Sequence, residues 1–133
     1  MPEYNYHHIH LVSPDPQKTA EFYENMFNAK RLNATQSEDG RTTSVALSLN
    51  GSSILIMLGK EQLYSTSEPS APGIGVEHFG IITDDLTTAV AELKAKGVQF
   101  RNDPWEFRPG VNISFLWAPE NVLIELLEIK PRS

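Results

Sequence analysis

The stretch Asn121-Val122-Leu123-Ile124-Glu125-Leu126-Leu127 decides how this chain is read. It has the makeup of a β-strand, and side chains alternate faces along a strand. Leu123, Glu125 and Leu127 therefore share one face while Val122, Ile124 and Leu126 share the other. Both faces are apolar apart from Glu125. A strand covered on both sides buries an ionised carboxylate, which is costly unless a cation or a hydrogen-bonding group compensates it. Glu125 thus requires a partner elsewhere in the chain.

Histidines are the candidates, because two of the four lie at matching places in a duplicated sequence. His8-Ile9-His10-Leu11-Val12-Ser13-Pro14-Asp15 lines up with His78-Phe79-Gly80-Ile81-Ile82-Thr83-Asp84-Asp85, an offset of 78 − 8 = 70 residues. Each copy reads as a short strand that ends on an aspartate suited to cap the helix that follows. The first helix is expected from Pro16 to Phe27, with Ala20, Tyr23, Met26 and Phe27 on its buried stripe. The second is expected from Leu86 to Lys96, with Leu86, Ala89, Val90 and Leu93 buried and Gly97 as its C-cap.

Three strand-like runs follow each helix. They are Ala29 to Ala34, Thr42 to Leu49 and Ser53 to Leu58 in the first half, the last two joined by the hairpin dipeptide Asn50-Gly51. In the second half they are Val98 to Asn102, Val111 to Trp117 and Asn121 to Glu128, with 102–110 expected as a loop. The unit is βαβββ, written twice: an α+β fold with module 1 at 1–59, module 2 at 76–133, and 60–75 as an extended linker rich in Ser, Pro and Gly. Within this repeat Met57 is aligned with Glu125 at an offset of 125 − 57 = 68.

His-Ile-x-Leu-x-x-x-Asp opening a βαβββ unit, its repetition, and the closing Val-Leu-Ile-Glu-Leu resemble the vicinal oxygen chelate superfamily. That group contains glyoxalase I, methylmalonyl-CoA epimerase, extradiol dioxygenases, fosfomycin-resistance enzymes and bleomycin-resistance proteins. The resemblance covers nearly the whole chain. It implies one domain, 1–133, in which the tandem modules form a cupped mixed sheet, and it implies a homodimer. Its metal positions fall on His8 and Met57 in module 1 and on His78 and Glu125 in module 2. A thioether is a soft ligand, so Met57 is expected to line the cavity, leaving His8, His78 and Glu125 as ligands.

Two histidines and one carboxylate would leave open positions on a divalent metal such as Fe2+ or Mn2+, with Ni2+, Zn2+ or Co2+ as further options. Such a centre would polarise two vicinal oxygens of a small substrate. Extradiol-like ring cleavage fits this ligand set, and lyase, isomerase or transferase chemistry is the alternative. A metal-free module that sequesters an aromatic ligand on Trp105, Phe115 and Trp117 is a second alternative, and a regulatory subunit with a relict site is a third. His10 shares the face of His8 and is a candidate general base or a polar wall residue. His7 alternates to the other face and receives no role. Trp105, Arg108 and Ser114 are expected in the substrate pocket beside Met57, with Arg41, Arg101, Asn112 and Trp117 as further candidates.

Composition narrows the field. At 133 residues the chain can bury one core. It has no cysteine, which removes disulfides, thiolate metal sites and a cysteine nucleophile. A net charge of −6 with no basic run disfavours nucleic-acid and anionic-membrane partners, and no long apolar run or signal peptide is visible. A cytoplasmic, substrate-binding protein is the expectation.

Overall fold

The computed structural model describes residue 3 and residues 6–59 and 78–130. The chain divides into two compact units, Met1–Ser65 and Thr66–Ser133. In the first, β1 (His8–Ser13) leads into α1 (Pro16–Phe27), followed by β2 (Lys30–Gln36), β3 (Thr42–Leu49) and β4 (Ser52–Leu58). The sheet order is β1-β4-β3-β2, with β1 parallel to β4 and the other neighbours antiparallel.

Local chemistry accounts for each corner. The Asp15 side chain accepts the Lys18 N–H at 3.2 Å, and Pro16 gives α1 a preset first turn. Asn28 ends the helix in the left-handed conformation. Asn50 and Gly51 have φ of 49° and 94°, the two positive values that a tight type I′ hairpin requires. Ser13, buried at the end of β1, bonds the Thr19 hydroxyl at 2.7 Å and accepts the Asp15 N–H, which locks strand to helix. Ala20 and Tyr23 of α1 are buried, as are Val45, Leu47, Ile54 and Ile56 on the sheet face towards it; Met26 and Phe27 are only half-buried.

The second unit repeats this plan with one addition. β5 (Phe79–Ile82), α2 (Leu86–Ala95), β6 (Gln99–Phe100), β8 (Val111–Ala118) and β9 (Val122–Ile129) are joined by β7 (Trp105–Arg108), which pairs with β8. The expected loop 102–110 is therefore half strand: Trp105 pairs with Ile113, and Gly110, at φ 82°, turns the chain back. Conversely, β6 is shorter than Val98 to Asn102. The Asn102 side chain takes the Phe115 N–H at 3.2 Å, substituting for a ladder bond and ending the strand. The sheet order is β5-β9-β8-β6, with β5 parallel to β9. Helix α2 ends at Ala95, one residue short of the expectation. Lys96 is its cap, and Gly97, at φ 93°, is the left-handed residue beyond.

Glu128 is the structural residue that the sequence pattern hides. It is buried, and its carboxylate accepts the Leu86 N–H at 3.0 Å, the first free donor of α2, and the Asn112 amide at 3.2 Å. Leu86, Val90 and Leu93 pack on the face of Leu116, Ile124 and Leu126. The expected linker, 60–75, and the start of module 2 at 76 lie outside the described residues. Among the described residues no helix is long and apolar enough to cross a membrane.

Two predictions follow from these contacts. Glu128→Ala leaves the Leu86 N–H buried without its acceptor and should cost about 1–3 kcal/mol in urea unfolding. At the cap itself, the Thr88 hydroxyl and then the Thr88 N–H donate to Asp85 and hold its carboxyl below the usual range. A depressed carboxylate stabilises above its unfolded pKa, and that contribution is lost as pH falls through the folded value. The stability gap between wild type and Asp85→Asn, followed by thermal melts from neutral to acid pH, should therefore close on the acid side.

Candidate metal-ligating site

Glu125 does meet a histidine. His78 Nε2 lies 2.9 Å from Glu125 Oε2, with side-chain exposures of 31% and 22%. The carboxylate is thus half-covered where the sequence pattern implied full burial. The parallel β5–β9 ladder creates the contact: Gly80 pairs with Glu125, and His78, two residues before Gly80, projects on the same face. Phe115 pairs with Glu125 from the other side and meets the His78 ring edge-on, with centroids 5.2 Å apart. Phe115, Ile113 and Leu123 form the small apolar cluster beneath the pair.

The first unit carries its own histidines on the corresponding strand. His8 and His10 are both exposed on one face of β1, their rings 6.3 Å apart at 67°. His7, given no role by strict alternation, has its Nδ1 2.7 Å from His8 Nδ1. Alternation fails there because β1 begins at His8, so His7 is outside the ladder. One of the two nitrogens must donate. If His8 donates, its Nε2 is left with a free lone pair.

The ladder registers revise the alignment between modules. His10 pairs with Leu55 and Val12 with Met57, while Gly80 pairs with Glu125 and Ile82 with Leu127. The offset is 125 − 55 = 70 throughout, so Leu55, not Met57, occupies the place of Glu125. Leu55 is aliphatic and cannot ligate, so module 1 has no donor at that place. Met57 itself is 44% exposed and lies on the same face as His8 and His10.

Of the expected pocket residues, Trp105 stands beside the pair. It is on the Glu125 face and its ring lies tilted 6.3 Å from Phe115. Ser114 is corrected: it pairs with Leu126 on the opposite face, is fully buried, and donates to the Asn102 carbonyl at 2.7 Å. Arg108 is exposed and pairs with Val111, four residues along β8 from Phe115, about 13 Å at the usual strand rise. The fold does not bring it to Glu125.

A neutral imidazole and a carboxylate are donors suited to borderline divalent metals. Their 2.9 Å separation is close to the roughly 3 Å between two ligands at right angles, each about 2.1 Å from a metal. The donor pair fits such an ion. Among the described residues of the second unit no third His, Asp or Glu joins it.

Known proteins share this architecture. The uncharacterised protein YwkD of Bacillus subtilis is 28% identical over 130 residues, covering 92% of this chain and 94% of its own. A probable chloroplastic lactoylglutathione lyase of Arabidopsis thaliana is 27% identical over 125 residues, covering 93% of this chain, which spans 35% of that longer protein. The fosfomycin resistance protein FosX of Listeria monocytogenes, solved with Mn(II) and sulfate, superposes with a TM-score of 0.71 at 20% identity, covering 95% of this chain and 90% of its own. Among the described residues two mixed sheets, each crossed by an α-helix, match the vicinal oxygen chelate fold of that neighbour. The family model of the glyoxalase/bleomycin resistance protein/dioxygenase superfamily matches residues 5–126, and the chain belongs to that superfamily.

Proposed function

We propose that this chain is a metal-dependent enzyme in which His78, Glu125 and His8 hold one divalent ion, and that it acts on a small substrate bearing two adjacent oxygens. The convergence of His78 Nε2 and Glu125 Oε2 on the open face of the sheet carries this reading. We assign His8 as the third ligand on the offset of 70 residues that relates it to His78 in the repeat. When bound, the ion supplies Lewis acidity towards the two oxygens. Phe115 and Trp105 provide an aromatic wall beside it.

Leu55 shapes the chemistry by omission. It has no proton to give, so a symmetric pair of carboxylates cannot shuttle one across the substrate. His10, exposed on the face of His8, is the residue we assign as general base. The similarities to lactoylglutathione lyase and FosX favour lyase- or transferase-type chemistry over ring cleavage, and the Mn(II) of FosX puts manganese first among the metals. Ring cleavage with iron is the second reading, supported by the two-histidine, one-carboxylate donor set. We take the working unit to be a homodimer.

Elemental analysis after loading with Mn(II), Fe(II), Ni(II) or Zn(II) tests the ligand set. His8→Ala, His78→Ala and Glu125→Ala should each lower affinity by more than the roughly 10–100-fold typical of residues that only support a ligand. His7→Ala should weaken binding by about tenfold yet still fill with metal at saturation. Full occupancy in all three ligand variants refutes the assignment. Iron-loaded protein, prepared anaerobically and then given oxygen with a panel of catechols, should consume none; sustained uptake would restore ring cleavage to first place.

A further inference from the structure

The row of residues that crosses the second sheet through Glu125 does not stop at Phe115. Gly80 pairs with Glu125 and Glu125 with Phe115. Phe100 pairs with Leu116, so the next position opposite Phe115 is Arg101, whose N–H reaches the Phe115 carbonyl at 2.8 Å. Arg101 therefore shares the face of Glu125 and His78. Its guanidinium carbon lies 4.4 Å from the centroid of the Phe115 ring. The backbone beneath it is clamped on both sides, because Asn102 takes the Phe115 N–H with its side chain and the Ser114 hydroxyl with its carbonyl.

An exposed arginine held in this way is unusual in what it leaves unused. Stacking on Phe115 orders the side chain by a cation–π contact and reduces the entropy cost of holding it still. Among the described residues no carboxylate pairs with it. Its planar fork of five donors keeps its full capacity for a bidentate oxyanion. The legs of 4.4 Å and 5.2 Å meet at the Phe115 ring, so the guanidinium carbon and the His78 ring centre are at most about 10 Å apart. Phe115, 8% exposed, is the ring that both side chains touch, with Trp105 alongside.

We propose that Arg101 is the anion-binding residue of this site, taking the carboxylate, phosphonate or phosphate of a substrate whose other end presents its oxygens to His78 and Glu125. That substrate spans the distance from the Arg101 fork to His78 and Glu125, with Phe115 as the buried support that both side chains touch. The proposal rests on the reading of His78 and Glu125 as the reacting end, and it adds the substrate class: a compact organic anion. A purely structural Arg101, covering Phe115 with its stem, is the competing account. Arg101→Met separates the two, since methionine keeps the apolar cover and loses the fork.

The experiment is a titration of chelator-treated, metal-free protein with n-propylphosphonate, with butyrate and with neutral 1-butanol, read from the ring resonances of Phe115 and Trp105 by NMR. Saturable shifts are expected with at least one anion and none with butanol, and the stronger of the two anions identifies the headgroup. Arg101→Met should weaken that anion by about tenfold or more, as loss of a charge-assisted bidentate contact implies, and Arg101→Lys should fall between. Unaltered thermal midpoint and metal content in Arg101→Met show that fold and metal site are intact. Equal anion affinity in Arg101→Met, or no saturable shift in wild type, overturns the proposal. Elemental analysis of the same preparations keeps the two readings apart. Arginine-dependent anion binding in a chain that takes up no metal leaves Arg101 standing and removes the metal reading; a metal-loaded chain blind to both anions removes Arg101 alone.

Discussion

The parallel contact between a unit's first and last strands is the constraint on which the rest depends. Two strands can lie parallel only if the chain between them crosses over and returns, and here α1 or α2 makes the crossing while antiparallel hairpins make the return. In the second unit this brings residues 47 positions apart, His78 and Glu125, to 2.9 Å. The apolar cost of the arrangement is met on the helix side of each sheet, where Leu47, Ile56, Leu116, Ile124 and Leu126 are almost completely buried. The opposite face carries His8 and His10 in one unit and Glu125, Phe115 and Trp105 beside the aliphatic Ile113 and Leu123 in the other, and all the candidate chemistry sits there.

That division of labour explains why two glutamates on one strand behave differently. Glu125 and Glu128 are three apart, an odd spacing, so they point to opposite faces of β9. Glu128 goes inward and satisfies the start of α2, a structural task with fixed donors in Leu86 and Asn112. Glu125 keeps a share of solvent and lies against His78 on the other face. The same carboxylate chemistry thus serves folding on one face and a site on the other.

The two units are related by a constant offset in their ladders, yet they are not chemically equivalent. Leu55 stands where Glu125 stands, and His10 where Gly80 stands. The first unit carries three neighbouring histidines and no carboxylate at the site position; the second carries the carboxylate, the aromatic floor and the arginine. The helix-side alternation is common to both units, as packing against α1 and α2 requires, while the residues at matching places on the other face differ.

How much of this was legible beforehand depends on the range of the interaction that decided it. The βαβββ repeat, α1 from Pro16 to Phe27 and the Asn50-Gly51 hairpin follow from periodicity, caps and turn chemistry, which act over a few residues, while a histidine beside Glu125 is expected from the cost of burying its charge and from the repeat. The positions of β7, the early end of β6 at Asn102, the inward turn of Ser114 and the capping role of Glu128 do not, because each is settled by a partner strand or helix distant in sequence. Met57 was aligned with Glu125 by sequence similarity, whereas hydrogen-bonded register selects Leu55, since a two-residue slip preserves the face and cannot be detected from alternation alone. By itself the sequence determined which residues are able to bind a metal and which elements carry them. Only the tertiary structure decided which of them meet, because register and strand order are properties of pairs.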